Sequence, residues 1–157
     1  MTTAIVYASK HGSTADIARQ IADGLGPDTT VFDLATTQPD LIGFDTVILG
    51  TSIYAGSPMA TMKTFAQTDA LHGKRVALFA SGMESDPAKR DAETKAAFPS
   101  ELADRALTVA FLPGRYQFAK MNVAERFLIH RIAKTKTDID ATDDAAISAF
   151  IATLKVS

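Results

Sequence analysis

The chain has 157 residues, 46% of them hydrophobic and 22% charged, which is the balance of one ordinary globular domain over residues 1–157 and not of a disordered chain. It contains no cysteine, so disulfides, thiolate metal sites and cysteine nucleophiles are excluded, and any redox chemistry must come from a bound cofactor. The net charge is only −2, but the charges are distributed unevenly along the chain.

Short runs rich in β-branched and apolar residues alternate with segments of helical periodicity. Strands are predicted over residues 3–8, 29–33, 46–51, 75–80 and 106–112, and helices from Ser13 or Thr14 to Leu25 and over 58–67, 87–102 and 140–155. This alternation predicts an α/β three-layer sandwich with a five-stranded parallel sheet and helices on both faces. Five strands suit the order 2-1-3-4-5, in which the ligand binds at the carboxyl ends of the first and third strands.

The loop after the first strand has the composition of an anion site. It consists of Ser9, Lys10, His11, Gly12, Ser13 and Thr14. The loop joins a strand end to a helix start, where backbone N–H groups and the helix dipole favour an anion, and its hydroxyls can donate to phosphate oxygens. It is neither a Walker A loop nor a G-x-G-x-x-G loop. The alternative interpretation is that Ser13 or Thr14 only caps the helix.

This loop resembles the first loop of the flavodoxin family, a hydroxyl-rich S/T-x-x-G-x-T clasp around the phosphate of FMN. Ser9, Gly12 and Thr14 match that pattern. The resemblance implies a flavodoxin-like fold and one bound FMN whose phosphate lies at residues 9–14. Lys10 departs from the usual uncharged clasp. Its side chain either adds a cation beside the phosphate or points to water, and we expect the second.

Two further loops are predicted to contact the flavin, because they leave the third and fourth strands at the same edge of the sheet. The first contributes Ser52, Ile53, Tyr54, Ala55 and Gly56, and the second contributes Ser81, Gly82 and Met83. We expect Tyr54 to stack on the isoalloxazine ring, the alternative being that it lies in the core. The second loop is expected to approach the polar edge of the ring with its backbone N–H groups, while Glu84 points to solvent.

A basic insert is predicted at about residues 113–137, before the closing helix. It carries six Lys or Arg and one acidic residue, so its charge is +5 while the rest of the chain carries −7. Such a segment is expected to meet an anionic partner. As a helix, residues 115–136 either lie on an anionic membrane or simply cover the sheet. One basic segment on an acidic body is too small a footprint for nucleic acid.

The insert resembles part of a specific group of flavodoxin-like enzymes. Residues 114–116, 125–134 and 137–138 are similar to the menaquinone-dependent protoporphyrinogen dehydrogenases (oxidases) of bacterial haem synthesis. The resemblance implies an FMN oxidoreductase that passes electrons from protoporphyrinogen to a quinone, with the chemistry on the flavin. Substrate or partner contacts are then assigned to Arg115, as a donor to a carboxylate, and to Tyr116 and Phe118, as caps of the flavin pocket.

Two other functions stay open on the sequence. One is a flavodoxin-type electron carrier that docks between a reductase and acceptor proteins, and the other is a phosphate-sensing module without flavin. His11, His72 and His130 fall in separate elements, so no metal site is expected. The first residues lack a basic segment followed by an apolar run, so we expect a cytoplasmic protein, with peripheral contact at the inner face of the membrane as the alternative.

Overall fold

The computed structural model describes residues 2–10, 12–54, 56–116, 139–140 and 143–156, with backbone only at 115–116 and 139–140. The strands are β1 (Thr3–Ala8), β2 (Thr29–Asp33), β3 (Thr46–Tyr54), β4 (Ser57–Pro58), β5 (Arg75–Ser81), β6 (Val109–Phe111), β7 (Arg115–Tyr116) and β8 (Ile139–Asp140). The helices are α1 (Ser13–Leu25), α2 (Ala60–Phe65), α3 (Pro87–Ala96), α4 (Ser100–Arg105) and α5 (Asp144–Val156), with a 3-10 turn at Asp69–Leu71.

The main sheet has the predicted topology. Its parallel strands lie in the order β2-β1-β3-β5-β6, so the predicted order of the five parallel strands is confirmed. The carboxyl ends of β1 and β3 lie side by side, with Ala8 opposite Thr51, and the end of β5 follows, with Ser81 opposite Ser52. Three loops therefore leave the same edge of the sheet at the point where the strand order reverses.

Each face of the sheet carries its own apolar core, because successive side chains of a strand point to opposite faces. On one face, Ile5 and Phe79 are fully buried with Ile17 of α1 and Phe150 of α5. The core of the opposite face includes Val6, Leu49, Leu78, Met62 of α2 and Leu102 of α4. Burial of each such side chain stabilises the fold by about 1.5–3 kcal/mol. The sheet is thus held rigidly between two layers of helix.

The third strand is longer than predicted. β3 continues past residue 51 to Tyr54 and turns back into β4, with Ile53 opposite Pro58 and Tyr54 opposite Ser57 in an antiparallel pair. Gly56 allows this tight turn because its φ of 80° is in the left-handed region, which glycine tolerates without strain. The helix predicted from residue 58 consequently begins only at Ala60.

The helix predicted over residues 87–102 is two helices, and that prediction was wrong. Pro99 separates α3 from α4, since proline lacks an N–H and disfavours helical geometry at the residue before it. The closing helix also starts later than residue 140. Ile139–Asp140 instead pairs as β8 with β7, and Asp143 caps α5 by accepting a hydrogen bond from the Ala146 N–H at 3.0 Å.

A helix over residues 115–136 is wrong at its start, because Arg115–Tyr116 forms strand β7 and pairs with β8. The rest of the basic insert, residues 117–137, lies outside the described residues, so a helix there stays a prediction. Within the part of the chain that the structure describes, none of the helices has both the length and the apolar character needed to cross a bilayer.

Candidate functional site

The phosphate loop, residues 9–14, is curled by its own backbone and by one hydroxyl. Gly12 has a φ of 86°, in the left-handed region, and its carbonyl accepts the first hydrogen bond of α1 from Asp16 N–H at 3.0 Å. The Ser9 hydroxyl accepts a hydrogen bond from Gly12 N–H at 3.0 Å. Gly12 is itself the N-cap residue of α1, and Ser13 and Thr14 are the first two residues of the helix. The interpretation that Ser13 or Thr14 is the cap is therefore wrong, and the first turn of α1 has the backbone N–H groups of a helix start.

Ser52 joins the phosphate loop to the end of β3. Its hydroxyl lies 2.7 Å from the Thr14 hydroxyl and accepts a hydrogen bond from Lys10 N–H at 3.2 Å. Thr14 is fully buried. A buried threonine hydroxyl that shares a hydrogen bond with a serine hydroxyl has its rotamer fixed, so the floor of the loop is preorganised.

The loop after β3, residues 52–57 and here called the ring loop, is a hairpin. Thr51 is fully buried, and its hydroxyl accepts a hydrogen bond from Met59 N–H at 3.1 Å, which ties the returning strand to β3. The Ile53 side chain packs in the core, so only its backbone can contact a ligand. Tyr54 is half-buried at the tip of the hairpin. Ala55 lies outside the described residues, and the neighbouring Gly56 is exposed.

Lys10 and Tyr54 meet across the two loops. The Lys10 ammonium lies 4.2 Å from the centroid of the Tyr54 ring, within the range of a cation–π interaction. The expectation that Lys10 points to water holds for its exposure but misses this contact. The ammonium therefore covers one face of the Tyr54 ring.

A fourth segment closes the site on the side of β6. A Cβ placed on Gly114 would lie 2.0 Å from the Ser13 hydroxyl and 2.6 Å from the Ser81 hydroxyl, so only glycine fits between the phosphate loop and the end of β5. Ser81 and Gly82 are both buried, and Met83 is half-buried. Gly82 lies against the Ile53 carbonyl, which would be 3.2 Å from a Cβ at that position. The three loops therefore converge.

The loop after β5, residues 82–86, is shaped by Glu84. This residue was expected to point to solvent but is half-buried. Its carboxylate accepts hydrogen bonds from the backbone N–H groups of Ser85 and Asp86 at 3.1 and 3.0 Å. Its carbonyl accepts a hydrogen bond from Arg90 Nε, and the Arg90 guanidinium lies 4.9 Å from the centre of the Phe111 ring. Since Glu84 uses two of the loop's donors, the N–H groups that this loop can offer to a ligand are those before Ser85.

Glu93 of α3 borders the ring loop, where its Oε1 would lie 3.9 Å from a Cβ on Gly56. Burial and, next, the nearby Glu84 carboxylate raise the pKa of Glu93 above its ordinary value of 4.5, against a smaller opposite effect of Lys89. Between the ordinary and the raised pKa, the native chain binds more protons than the unfolded chain. The ionisation of Glu93 therefore lowers stability as the pH rises through that window.

Replacing Glu93 with glutamine is expected to raise the midpoint of urea unfolding near pH 7, because the partly buried charge and its repulsion from Glu84 are removed. The gain should vanish below about pH 4, where carboxyl groups of ordinary pKa are largely protonated. Glu101→Gln, at an exposed position in the first turn of α4, is the control and should not raise the midpoint, because a carboxylate is favourable at a helix start. An equal gain from Glu93→Gln at both pH values would contradict the assignment.

The site thus brings together the described members of the predicted set at one edge of the sheet. His11 and Phe118 lie outside the described residues, and the side chains of Arg115 and Tyr116 are not described. The sequence analysis missed the role of Gly114 between two loops. A proline–glycine pair directly after the last predicted strand was the available signal.

The arrangement fits the phosphate end of a nucleotide-like ligand. The start of α1 supplies N–H groups, Gly12 brings the backbone close, and Ser13 and Thr14 add hydroxyls in the first turn of the helix. Tyr54 supplies an aromatic face beside it. A parallel α/β sheet with such a loop at its switch point defines a mononucleotide-binding domain of the doubly wound class.

The comparisons with known proteins identify the family within that class. The flavodoxin domain model matches residues 4–143, and the chain belongs to this family. A search of curated proteins found no match. A flavodoxin from the domain Archaea is 17% identical over 85% of this chain and 98% of its own, with a TM-score of 0.52. The oxidised flavodoxin 1 of Bacillus cereus is 18% identical over 99% and 98%, with a TM-score of 0.50.

A further solved structure, a mutant form of the Fusobacterium nucleatum flavodoxin bound to flavin mononucleotide, is 28% identical. The match covers 52% of this chain and 51% of that one, with a TM-score of 0.45, so the chain spans about half the length of this relative.

Proposed function

We propose that this chain is an FMN-binding redox protein that works as an FMN-dependent dehydrogenase, passing electrons from a reduced organic substrate to a quinone. The observation that carries FMN binding is the preorganised phosphate loop, with Gly12 in the left-handed conformation and the Thr14 hydroxyl fully buried against Ser52. Membership of the flavodoxin domain family supports the same cofactor.

Different residues bind different parts of the FMN. The N–H groups at the start of α1 and the hydroxyls of Ser13 and Thr14 bind the phosphate, and Tyr54 packs against the ring. The loop that begins at Ser81 and Gly82 faces the polar edge of the ring with its backbone. Bound flavin supplies the hydride and electron transfer. The protein excludes water from the phosphate and fixes the orientation of the ring.

The proposed substrate class follows from the resemblance to menaquinone-dependent protoporphyrinogen dehydrogenases. The residues on which this resemblance is based begin directly beside the site. Gly114 fits between the Ser13 and Ser81 hydroxyls, and the chain continues into Arg115 and Tyr116 of β7. An arginine at position 115 suits a carboxylate-bearing substrate such as protoporphyrinogen, since arginine binds carboxylates bidentately. Residues 115–136 would add contact with an anionic membrane surface, where a quinone is found.

Purification and turnover test this function in two stages. Protein that shows flavin absorbance with one FMN per chain supports the cofactor, and colourless protein that FMN does not bind would leave a phosphate-sensing module. Turnover of protoporphyrinogen with menaquinone is then compared with reduction by a flavodoxin reductase. Turnover supports the dehydrogenase, whereas reductase-dependent electron transfer without turnover supports the electron carrier.

Neutralising Arg126, Lys134 and Lys136 together to glutamine is expected to leave FMN affinity unchanged and to weaken binding to vesicles of acidic lipid. Each cation near an anionic membrane contributes about 1 kcal/mol. The difference should shrink as salt is raised, because the screening length falls to about 8 Å near physiological ionic strength.

The matched control neutralises three exposed lysines elsewhere on the described surface, Lys63, Lys95 and Lys155. It makes the same change in net charge and should keep vesicle binding. If the triple variant of the insert loses FMN or melts much earlier, the segment is a structural cover of the sheet and the recruitment proposal is wrong.

A further inference from the structure

Lys10 belongs to the phosphate loop, but both its backbone and its side chain contact the ring loop. Its N–H donates to the Ser52 hydroxyl at 3.2 Å, and its ammonium lies 4.2 Å from the centre of the Tyr54 ring. The same Ser52 hydroxyl is 2.7 Å from the buried Thr14 hydroxyl. Lys10 therefore connects the phosphate loop with the aromatic side chain at the tip of the hairpin.

We propose that Lys10 is a positioning residue that holds the Tyr54 ring against the phosphate loop, so that the two halves of the flavin site are formed together. The proposal rests on the proposed function, since it concerns the same FMN site. It differs from the expectation for a lysine in a phosphate loop, which is direct attraction of the phosphate.

The geometry favours an action through Tyr54. An ammonium ion over an aromatic face is attracted by the negative face of the ring, and this contact restricts the rotamers of both side chains. Tyr54 is half-buried at the tip of a hairpin, where a contact on one face of the ring influences its direction. With that face under the ammonium, the direction of the ring is fixed before a ligand binds.

The size of the effect follows from the strength of such contacts. An exposed cation–π pair changes an equilibrium about two- to five-fold, and a pair from which a ligand excludes water changes it up to about thirty-fold. We therefore expect Lys10→Met to weaken flavin binding by a factor within this range. Lys10→Arg should restore most of the affinity, because a guanidinium also lies well over an aromatic face.

The decisive test is a double-mutant cycle measured with two ligands, FMN and riboflavin, which lacks the phosphate. Affinities are taken from flavin fluorescence for wild type, Lys10→Met, Tyr54→Leu and the double variant. If Lys10 acts through Tyr54, Lys10→Met weakens both ligands by the same factor and adds nothing in the Tyr54→Leu background. In a Tyr54→Phe background, which keeps the ring, the effect of Lys10→Met should remain at full size.

The other outcomes overturn the proposal. A loss confined to FMN that persists in Tyr54→Leu would show that Lys10 acts on the phosphate charge, and unchanged affinity for both flavins would show that the contact does not matter. Lys63→Met, at an exposed position of α2, is the control for removing a surface lysine. Thermal melting checks that Lys10→Met, also at an exposed position, remains folded. If the wild-type protein binds neither flavin, the proposed function itself is contradicted. That outcome differs from a failure of the Lys10 proposal, in which the wild type binds flavin normally.

Discussion

Replacing Gly50 with alanine is expected to lower the free energy of unfolding by about 3 kcal/mol, near the upper end of the range for overpacking a core. A Cβ at this position of β3 would lie 2.1 Å from Cζ of the Phe79 ring and less than 3 Å from both Cε atoms. The ring has no room to retreat, because it is fully buried and packs edge-on against Phe150 with centroids 5.9 Å apart. Urea unfolding followed by far-UV circular dichroism measures the loss.

Gly24→Ala is the matched control for Gly50→Ala. Its new Cβ would lie 2.6 Å from Cδ1 of Ile151, the end of a flexible side chain that can rotate away, and alanine improves helix propensity by up to about 1 kcal/mol. Gly24→Ala should therefore stay within about 1 kcal/mol of wild type. Adding Phe79→Leu to Gly50→Ala should recover part of the loss. Equal midpoints for the two single variants would show that the Phe79 ring relocates.

The order of the sheet was predictable because it depends on local periodicity and on general rules of chain connection. The bounds of β1 and α1 follow from an apolar run that ends in a turn and from a helical repeat that ends at glycines. The hairpin at the end of β3 was not predictable in this way. Ser52, Gly56 and Ser57 are residue types typical of a loop, and β3 continues to Tyr54 only because Tyr54 pairs with Ser57 across the turn.

The residue types of the candidate site were predictable, but the connections between them were not. Glycine and hydroxyl residues between a strand and a helix indicate an anion site on their own. The contact of Ser52 with Thr14 joins residues that are 38 positions apart, and that of Lys10 with Tyr54 joins different loops. Such contacts depend on the distance between the ends of neighbouring strands, and no local sequence pattern indicates that distance.

The largest effect on the cofactor is expected from removing the two hydroxyls at the start of α1 together, by Ser13→Ala and Thr14→Val. Phosphate oxygens that lose charge-assisted partners in a buried place should bind more weakly by roughly 1–3 kcal/mol, which is about a five- to 150-fold rise in the dissociation constant of FMN. Riboflavin has no phosphate, so its affinity should hardly change. Titration followed by flavin fluorescence measures both constants.

Controls separate this result from damage to the fold. Valine matches the shape of Thr14 but removes its hydrogen bond with Ser52, so the free energy of unfolding should fall by about 1 kcal/mol and the protein should remain folded. Thr14→Ser, which keeps the hydroxyl, should bind FMN nearly as well as wild type, and Thr36→Val, at an exposed position after β2, should have no effect. Unchanged FMN affinity in the double variant would contradict the phosphate site. An equal loss for riboflavin would mean that these residues support the ring and not the phosphate, the opposite of the selectivity that a hydroxyl-lined helix start should produce.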